Sequence, residues 1–163
     1  MAGAVATVGA RRETWGMDRS TAPIQVVIDA VDPAALSAFW ASALADRGYA
    51  VPPPPGAFPD WPAFLAANGV PEERWNDASA IEAQGHPRIF FQRVPEPKTV
   101  KNRVHIDLLA GGGPSVPLEE QRERVEAEVS RLEALGASRI GDHADLGVHW
   151  CVLRDPEGNE FCV

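Results

Sequence analysis

Three side chains in one short stretch can do acid–base chemistry together. Arg103, His105 and Asp107 alternate with Val104, Ile106 and Leu108. On an extended strand the polar trio shares one face and the apolar trio the other. A His with a carboxylate close by is a general base poised near neutral pH. A carboxylate turned into an apolar interior needs a partner, and Arg103 or a substrate donor can supply it. His105 and Asp107 are therefore the candidate catalytic pair, and Arg103 a candidate ligand-binding residue. A purely structural His–Asp–Arg network is the equal alternative. Glu160 and Cys162 alternate onto one face of the last strand, and His149 and Cys151 onto one face of the strand before it. All four are read as lining the same pocket. Asp29 is a further inward candidate on the first strand. His86 and His143 fall in predicted loops and are expected to be solvated.

The elements that must position these residues follow from the pattern. Ile24–Ala30, IQVVIDA, reads as a strand with Ile24, Val26 and Ile28 on one face and Gln25, Val27 and Asp29 on the other. Asp32 as N-cap and Pro33 at the first helical position start a helix. Leu36, Phe39, Trp40, Ala43 and Leu44 give it an apolar stripe. The four prolines after Val51 exclude a helix or an inner strand. Two short helices are predicted over 61–68 and 71–75, and Trp61, Phe64 and Trp75 there form either a lid or a satellite core. Strands follow at 88–94 and 103–109, joined by the connection 95–102. A helix spans 117–135 with Leu118, Val125, Val129 and Leu132 buried, and strands at 138–140, 148–153 and 160–163 complete the chain. Asp155–Asn159, DPEGN, is a turn between the last two.

The chain has 163 residues, 45% hydrophobic and 23% charged, which suits one domain. A net charge of −8 argues against nucleic acid or an anionic membrane as partner. No apolar run approaches the roughly 20 residues that span a bilayer. Two cysteines are not a disulfide framework. They are read as reduced, in a cytoplasmic protein, with a cross-strand bridge as the lesser alternative. Arg88, Arg93, Lys98, Lys101 and Arg103 cluster in this acidic chain, either as a pocket mouth that attracts an anion or as a solvated loop. Residues 1–22 read as a disordered tail, with Met17 an alternative start. Residues 23–163 read as the domain. VVID (26–29) and VHID (104–107) are an internal echo. The expected fold is α+β: two βαβββ modules, 23–94 with an insertion at about 50–80 and 102–163. They would form a curved mixed sheet, a partly closed barrel with helices outside and a central cavity.

VVIDAVDPAALSAFW at the start and DPEGNEFCV at the end resemble the vicinal oxygen chelate superfamily, which includes glyoxalase I, bleomycin-resistance proteins and extradiol dioxygenases. FFQRVPEPKTVKNRVHIDL resembles a glyoxalase-like subgroup of actinobacterial type. The resemblance implies four metal-ligand positions, one on each of four strands. They fall on Gln25 (or Val27 by the internal echo), near Phe91 or Gln92, on His105, and on Cys162. Only His105 matches the usual His or Glu. The resemblance therefore implies a largely lost metal site, with Gln25, Asp29, Gln92, Arg103, Glu160 and Cys162 left as ligand-binding candidates. No cofactor is the leading expectation.

A divalent metal held by His105 and Cys162 with Asp107 or Glu160 is the alternative, giving a metal-dependent lyase or dioxygenase. The leading function is binding of a small organic molecule, either to sequester it or to catalyse a His-assisted proton transfer or glyoxalase-type lyase step. A non-catalytic accessory module is a third reading, and a homodimer is left open. No P-loop, dinucleotide fingerprint, nucleophile elbow or zinc-finger spacing is present.

Overall fold

The computed structural model describes residues 24–163. The expectations for the tail at 1–22, for Met17 and for residue 23 lie outside the described residues. The strands are β1 (Gln25–Ala30), β2 (Ala78–Ile81), β3 (Arg88–Arg93), β4 (Ser138–Asp145), β5 (Val148–Arg154) and β6 (Glu160–Cys162). The helices are α1 (Pro33–Ala43), α2 (Trp61–Ala67) and α3 (Leu118–Ala134). The fold is α+β, as the alternation of strand and helix patterns predicts.

The strands form two three-stranded sheets, ordered β1-β3-β2 and β4-β5-β6. No closed barrel joins them among the described residues. The physical reason lies at 103–109, which was expected to be a strand. There only Asp107 makes a bridge, parallel to Cys162. Leu108 N donates to Cys162 O and Cys162 N donates to Ile106 O. Residues 95–105 make no main-chain ladder that could carry the sheet across to β1.

Both halves nonetheless use one pairing rule. β1 runs parallel to β3 with Asp29 opposite Gln92, and the 106–108 segment runs parallel to β6 with Asp107 opposite Cys162. The VVID–VHID echo thus corresponds to equivalent positions. β2, antiparallel to β3, was missed because ASAI is short and follows a turn-rich stretch. A bridge from Ala50 to Glu82 extends that sheet. β4 is longer than 138–140 because its outer residues are polar and exposed, which hides a strand from a hydrophobic reading.

Asp32 starts α1 as expected. Its carboxylate accepts from Ala35 N at 3.1 Å and from Asn76 Nδ2 at 2.8 Å, and these bonds, that from Asn76 foremost, hold it below the usual Asp range. The stripe Leu36, Phe39, Trp40, Ala43 and Leu44 is buried. In α3, Val125, Val129 and Leu132 are buried, whereas Leu118 is 38% exposed because it sits in the first turn, outside the packed stripe. Gln121 takes the buried place instead. It donates to Val116 O and Gly147 O and accepts from His149 N, so burial leaves nothing unpaired. Around Pro52, Phe58, Trp61 and Phe64 meet edge to face, and Trp61 Nε1 donates to Pro52 O. Trp75 stands apart from them and donates to Val70 O. The predicted second short helix is a single 3-10 turn, Glu72–Arg74.

The two sheets are locked together by the DPEGN turn. Asp155 is 3% exposed. Its carboxylate accepts from Glu157 N, Asn159 N and Asn159 Nδ2 in its own turn, and from Trp40 Nε1 of α1 at 3.2 Å. Gly158, at φ +87°, supplies the left-handed backbone that closes the turn. Glu157 accepts from Val31 N at 2.8 Å and Asp32 N at 2.7 Å, just before α1. The Trp40 ring packs edge-on against Phe161, 5.1 Å between centroids, and Phe39 joins them.

Replacing Asp155 by Ala leaves buried donors unpaired and is expected to cost about 3 kcal/mol in urea unfolding, whereas Glu157→Gln keeps an acceptor and is expected to cost under about 1 kcal/mol.

Candidate functional site

A cavity of about 480 Å³ opens where the sheets fail to join. One wall is β1 from Val26 to Ala30, continuing to Val31. Another is the chain from Val94 to Val104. Trp40, Ile106 and Phe161 close the floor. The apolar side chains of β1 that face the core, and the clamp that seats Trp40 on Asp155, fix these walls. Val27, Val31, Val100 and Val104 line the cavity and are each at least 49% exposed. Such apolar rims around a concave space are characteristic of ligand sites.

The candidate residues divide into three places. Asp29, Arg103 and Glu160 line the cavity. Gln25 and Gln92 stand on the open face of the first sheet, beyond the cavity lining. There Gln25 Oε1 accepts from Arg88 Nη1 at 2.7 Å, and Gln92 Nε2 donates to Asp29 Oδ1 at 3.0 Å. Arg88 also pairs with Glu82 and lies over the Phe90 ring at 5.1 Å.

His105, Asp107 and Cys162 lie on the second half, also outside the cavity lining. His105 and Asp107 are exposed. The expected inward strand face therefore does not form: without a ladder at 103–106, nothing holds His105 against a neighbour. Arg103 and His105 make no hydrogen bond or ion pair with the described residues, so the expected His–Asp–Arg network is absent there. Cys162 is half-buried. Burial, with the Asp107 carboxylate beside it, pushes its thiol up to about 11, and such a thiol is a poor nucleophile.

His149 and Cys151 do not join this group. Cys151 is fully buried in the core and its thiol is pushed up to about 11, mainly by burial. It lies on the face of the second sheet opposite Cys162, since Val152 is the residue paired with Cys162. Both cysteines are free. His143 is exposed as expected but belongs to β4, stacked on Trp150 at 5.6 Å. His86 is exposed in a turn, 5.7 Å from the Tyr49 ring.

The first two metal positions implied by the resemblance do not fit a cation. Gln25 already holds the Arg88 guanidinium, which repels a metal. Val27 offers no donor atom, and Phe91 is fully buried in the core. Gln92 is committed to Asp29. Burial and the Asp107 carboxylate push the Cys162 thiol up to about 11, so a metal there would have to displace its proton. That leaves His105 and Cys162 as the implied positions with an uncommitted donor atom. Among the described residues no three His, Cys, Asp or Glu side chains gather as a ligand set.

Glu160 lines the cavity and is held by the segment that faces it. Its Oε2 accepts from Lys98 Nζ at 2.9 Å and from Asn102 N at 3.0 Å, and its main-chain O accepts from Asn102 Nδ2 at 3.3 Å. The Asn102 amide and then Lys98 pull its carboxyl down to about 2. Trp40, Glu96, Lys98, Asn102, Asp155, Glu157 and Asn159 are polar or aromatic cavity residues outside the sequence-based site candidates. Trp40 was legible only as core, and Glu157 only as a turn residue. Lys98 was read as part of a basic mouth, and nothing in the sequence pointed to its pairing with Glu160.

Comparison with solved structures shows the fold. A glyoxalase/bleomycin resistance protein/dioxygenase family enzyme from Burkholderia phytofirmans PsJN superposes with a TM-score of 0.52 at 18% identity, over 85% of this chain and 93% of that one. Lactoylglutathione lyase from Agrobacterium tumefaciens gives 0.50 at 15%, over 90% and 94%. A fosfomycin resistance protein from Listeria monocytogenes, solved with Mn(II) and a dihydroxypropylphosphonic acid, gives 0.53 at 12%, over 87% of each chain. No protein of curated function matches the sequence. No helix among the described residues is long and apolar enough to cross a membrane. Residues 25–163, from the first residue of β1 to the last of the chain, match the family model described as a glyoxalase-like domain, and the chain belongs to that family.

Proposed function

We propose that this chain binds a small organic molecule in the cavity between β1 and the 94–104 segment, and holds it there rather than transforming it at a metal. The cavity is the observation that carries this reading. Its volume of about 480 Å³ suits a small organic ligand. Its rim of exposed valines gains by being covered, at about 25 cal/mol per Å² of apolar surface removed from water. Arg103 is on the lining without an ion-pair partner among the described residues, so it is available to an anionic group of the ligand. The family resemblance supports binding of small molecules as a class. It does not choose the ligand, because one fold carries many functions. In this reading the protein is cytoplasmic and needs no metal.

Nile red fluorescence titration tests the cavity. Val27→Trp and Val104→Trp, both at exposed lining positions, are expected to weaken dye binding about tenfold or more while shifting Tm by no more than about 2 °C. Unchanged dye affinity in both variants would remove the cavity from the function.

A second reading keeps His105 and Asp107 as the acid–base pair of a lyase. The observation favouring it is the register of Asp107 opposite Cys162, which gives this segment a place at the edge of the second sheet. In that case any turnover found by screening carbonyl and thiol substrates falls about 100-fold or more in His105→Asn. Turnover that survives this substitution rules the pair out.

A further inference from the structure

We propose that residues 95–104 are a strap over the cavity, latched at a single point by Glu160, and that ligand enters and leaves when this latch releases. The gating half rests on the cavity being the ligand site; the latch itself does not.

The strap is nearly free of main-chain tethers. Val94 N still donates to Ala30 O, continuing the edge of β3. The next ladder contacts are at Ile106 and Leu108, which bond to Cys162. From Pro95 to His105 the chain makes no main-chain to main-chain hydrogen bond with the described residues. Every polar tether found in that interval converges on Glu160. Lys98 Nζ and the Asn102 amide share its Oε2, and Asn102 Nδ2 reaches its carbonyl oxygen. The pair is sheltered, with side chains 22% and 12% exposed for Lys98 and Glu160. It is therefore less screened than the exposed ion pairs of α3.

The strap is also the outer wall of the cavity. Nine of the eleven residues from Val94 to Val104 line it, and Glu160 lines it too. Pro95 and Pro97 limit the backbone at one end. The other end is pinned at Asp107 by the bridge to Cys162. A short segment fixed at both ends and held in the middle by one carboxylate moves as a unit when that carboxylate lets go. Val100 and Val104, 69% and 77% exposed, ride on it and can close over an apolar ligand. Segments with few main-chain bonds and few buried contacts lie at the low-stability end of a fold and open first.

Glu160→Met keeps the side-chain length and removes the side-chain acceptor, and Lys98→Met removes its one charged partner. The first readout is hydrogen exchange of the Asn102 amide and of peptides covering 96–104, in full-length protein without ligand. Glu160→Met is expected to speed exchange there about tenfold or more, and Lys98→Met by a smaller factor, with α3 peptides unchanged. The second readout is stopped-flow Nile red binding, in which both association and dissociation are expected to accelerate while the equilibrium affinity changes less. Exchange that stays unchanged at 96–104, or that rises equally in α3, overturns the latch. Faster exchange without any change in dye kinetics keeps the latch and overturns its gating role. Absence of dye binding in every variant defeats the ligand site and the gating claim together, and leaves the exchange result to decide the latch. If Glu160→Met fails to fold, Lys98→Met decides alone by the same criteria.

Discussion

One buried carboxylate is central to the junction of the two sheets, together with the Arg131 guanidinium of α3, which donates to Ser42 O and Ala43 O of α1, and a core shared by both halves. Asp155 satisfies three donors of its own turn and then the Trp40 indole from the far half of the chain. Burial pushes its carboxyl up while those bonds pull it down. An ionised group in that position is tolerable only because every lone pair has a partner. The aromatic contacts of Trp40 and Phe39 with Phe161 then supply the apolar part of the same junction. Directional bonds set the angle between the halves, and packing sets their distance. Remove the turn, and the sheets share no ladder that would hold them in register.

The cavity is a consequence of that geometry. The clamp joins the halves beside α1, but no strand pairing joins them at β1. The space between is left to a segment whose prolines and charges cannot complete a ladder. A closed barrel would have filled it with main-chain bonds and inward side chains. Here it is lined by β1 valines on one side and by a strap with three polar tethers on the other. The same absence of pairing that opens the cavity leaves His105 exposed and outside its lining.

Fold and helices were legible in the sequence where local chemistry and burial agree. Asp32-Pro33 with its apolar stripe gave α1, the Val125–Val129–Leu132 spacing gave α3, and DPEGN gave the turn. The elements that were misread depend on partners far away. Alternation at 103–109 is a genuine strand pattern, yet a strand needs a neighbour, and only residues 106–108 find one. β4 forms because β5 pairs with it along its length, despite an exposed polar sequence. Among the candidate site residues, Asp29, Arg103 and Glu160 line the cavity. For Glu160 the sequence leaves the partner open, because a carboxylate on an inward face looks the same in sequence whether it meets a ligand or a backbone amide 58 residues away.

That last distinction bears on what the negative charge of this protein is for. Five carboxylates line the cavity: Asp29, Glu96, Asp155, Glu157 and Glu160. Counted formally, with Lys98 and Arg103, they would make it strongly anionic. Four of the five already accept hydrogen bonds from described groups: Gln92 on Asp29, the turn and Trp40 on Asp155, the backbone before α1 on Glu157, and the strap on Glu160. With the strap closed, such bonds occupy the carboxylate oxygens, and fewer of them face a ligand directly. Only Glu96 and Arg103 have no such partner among the described residues, and they carry opposite charge. The described lining therefore offers mainly shape and apolar surface. Its two uncommitted ions can orient a ligand, but the acidic composition of the chain does not by itself choose one.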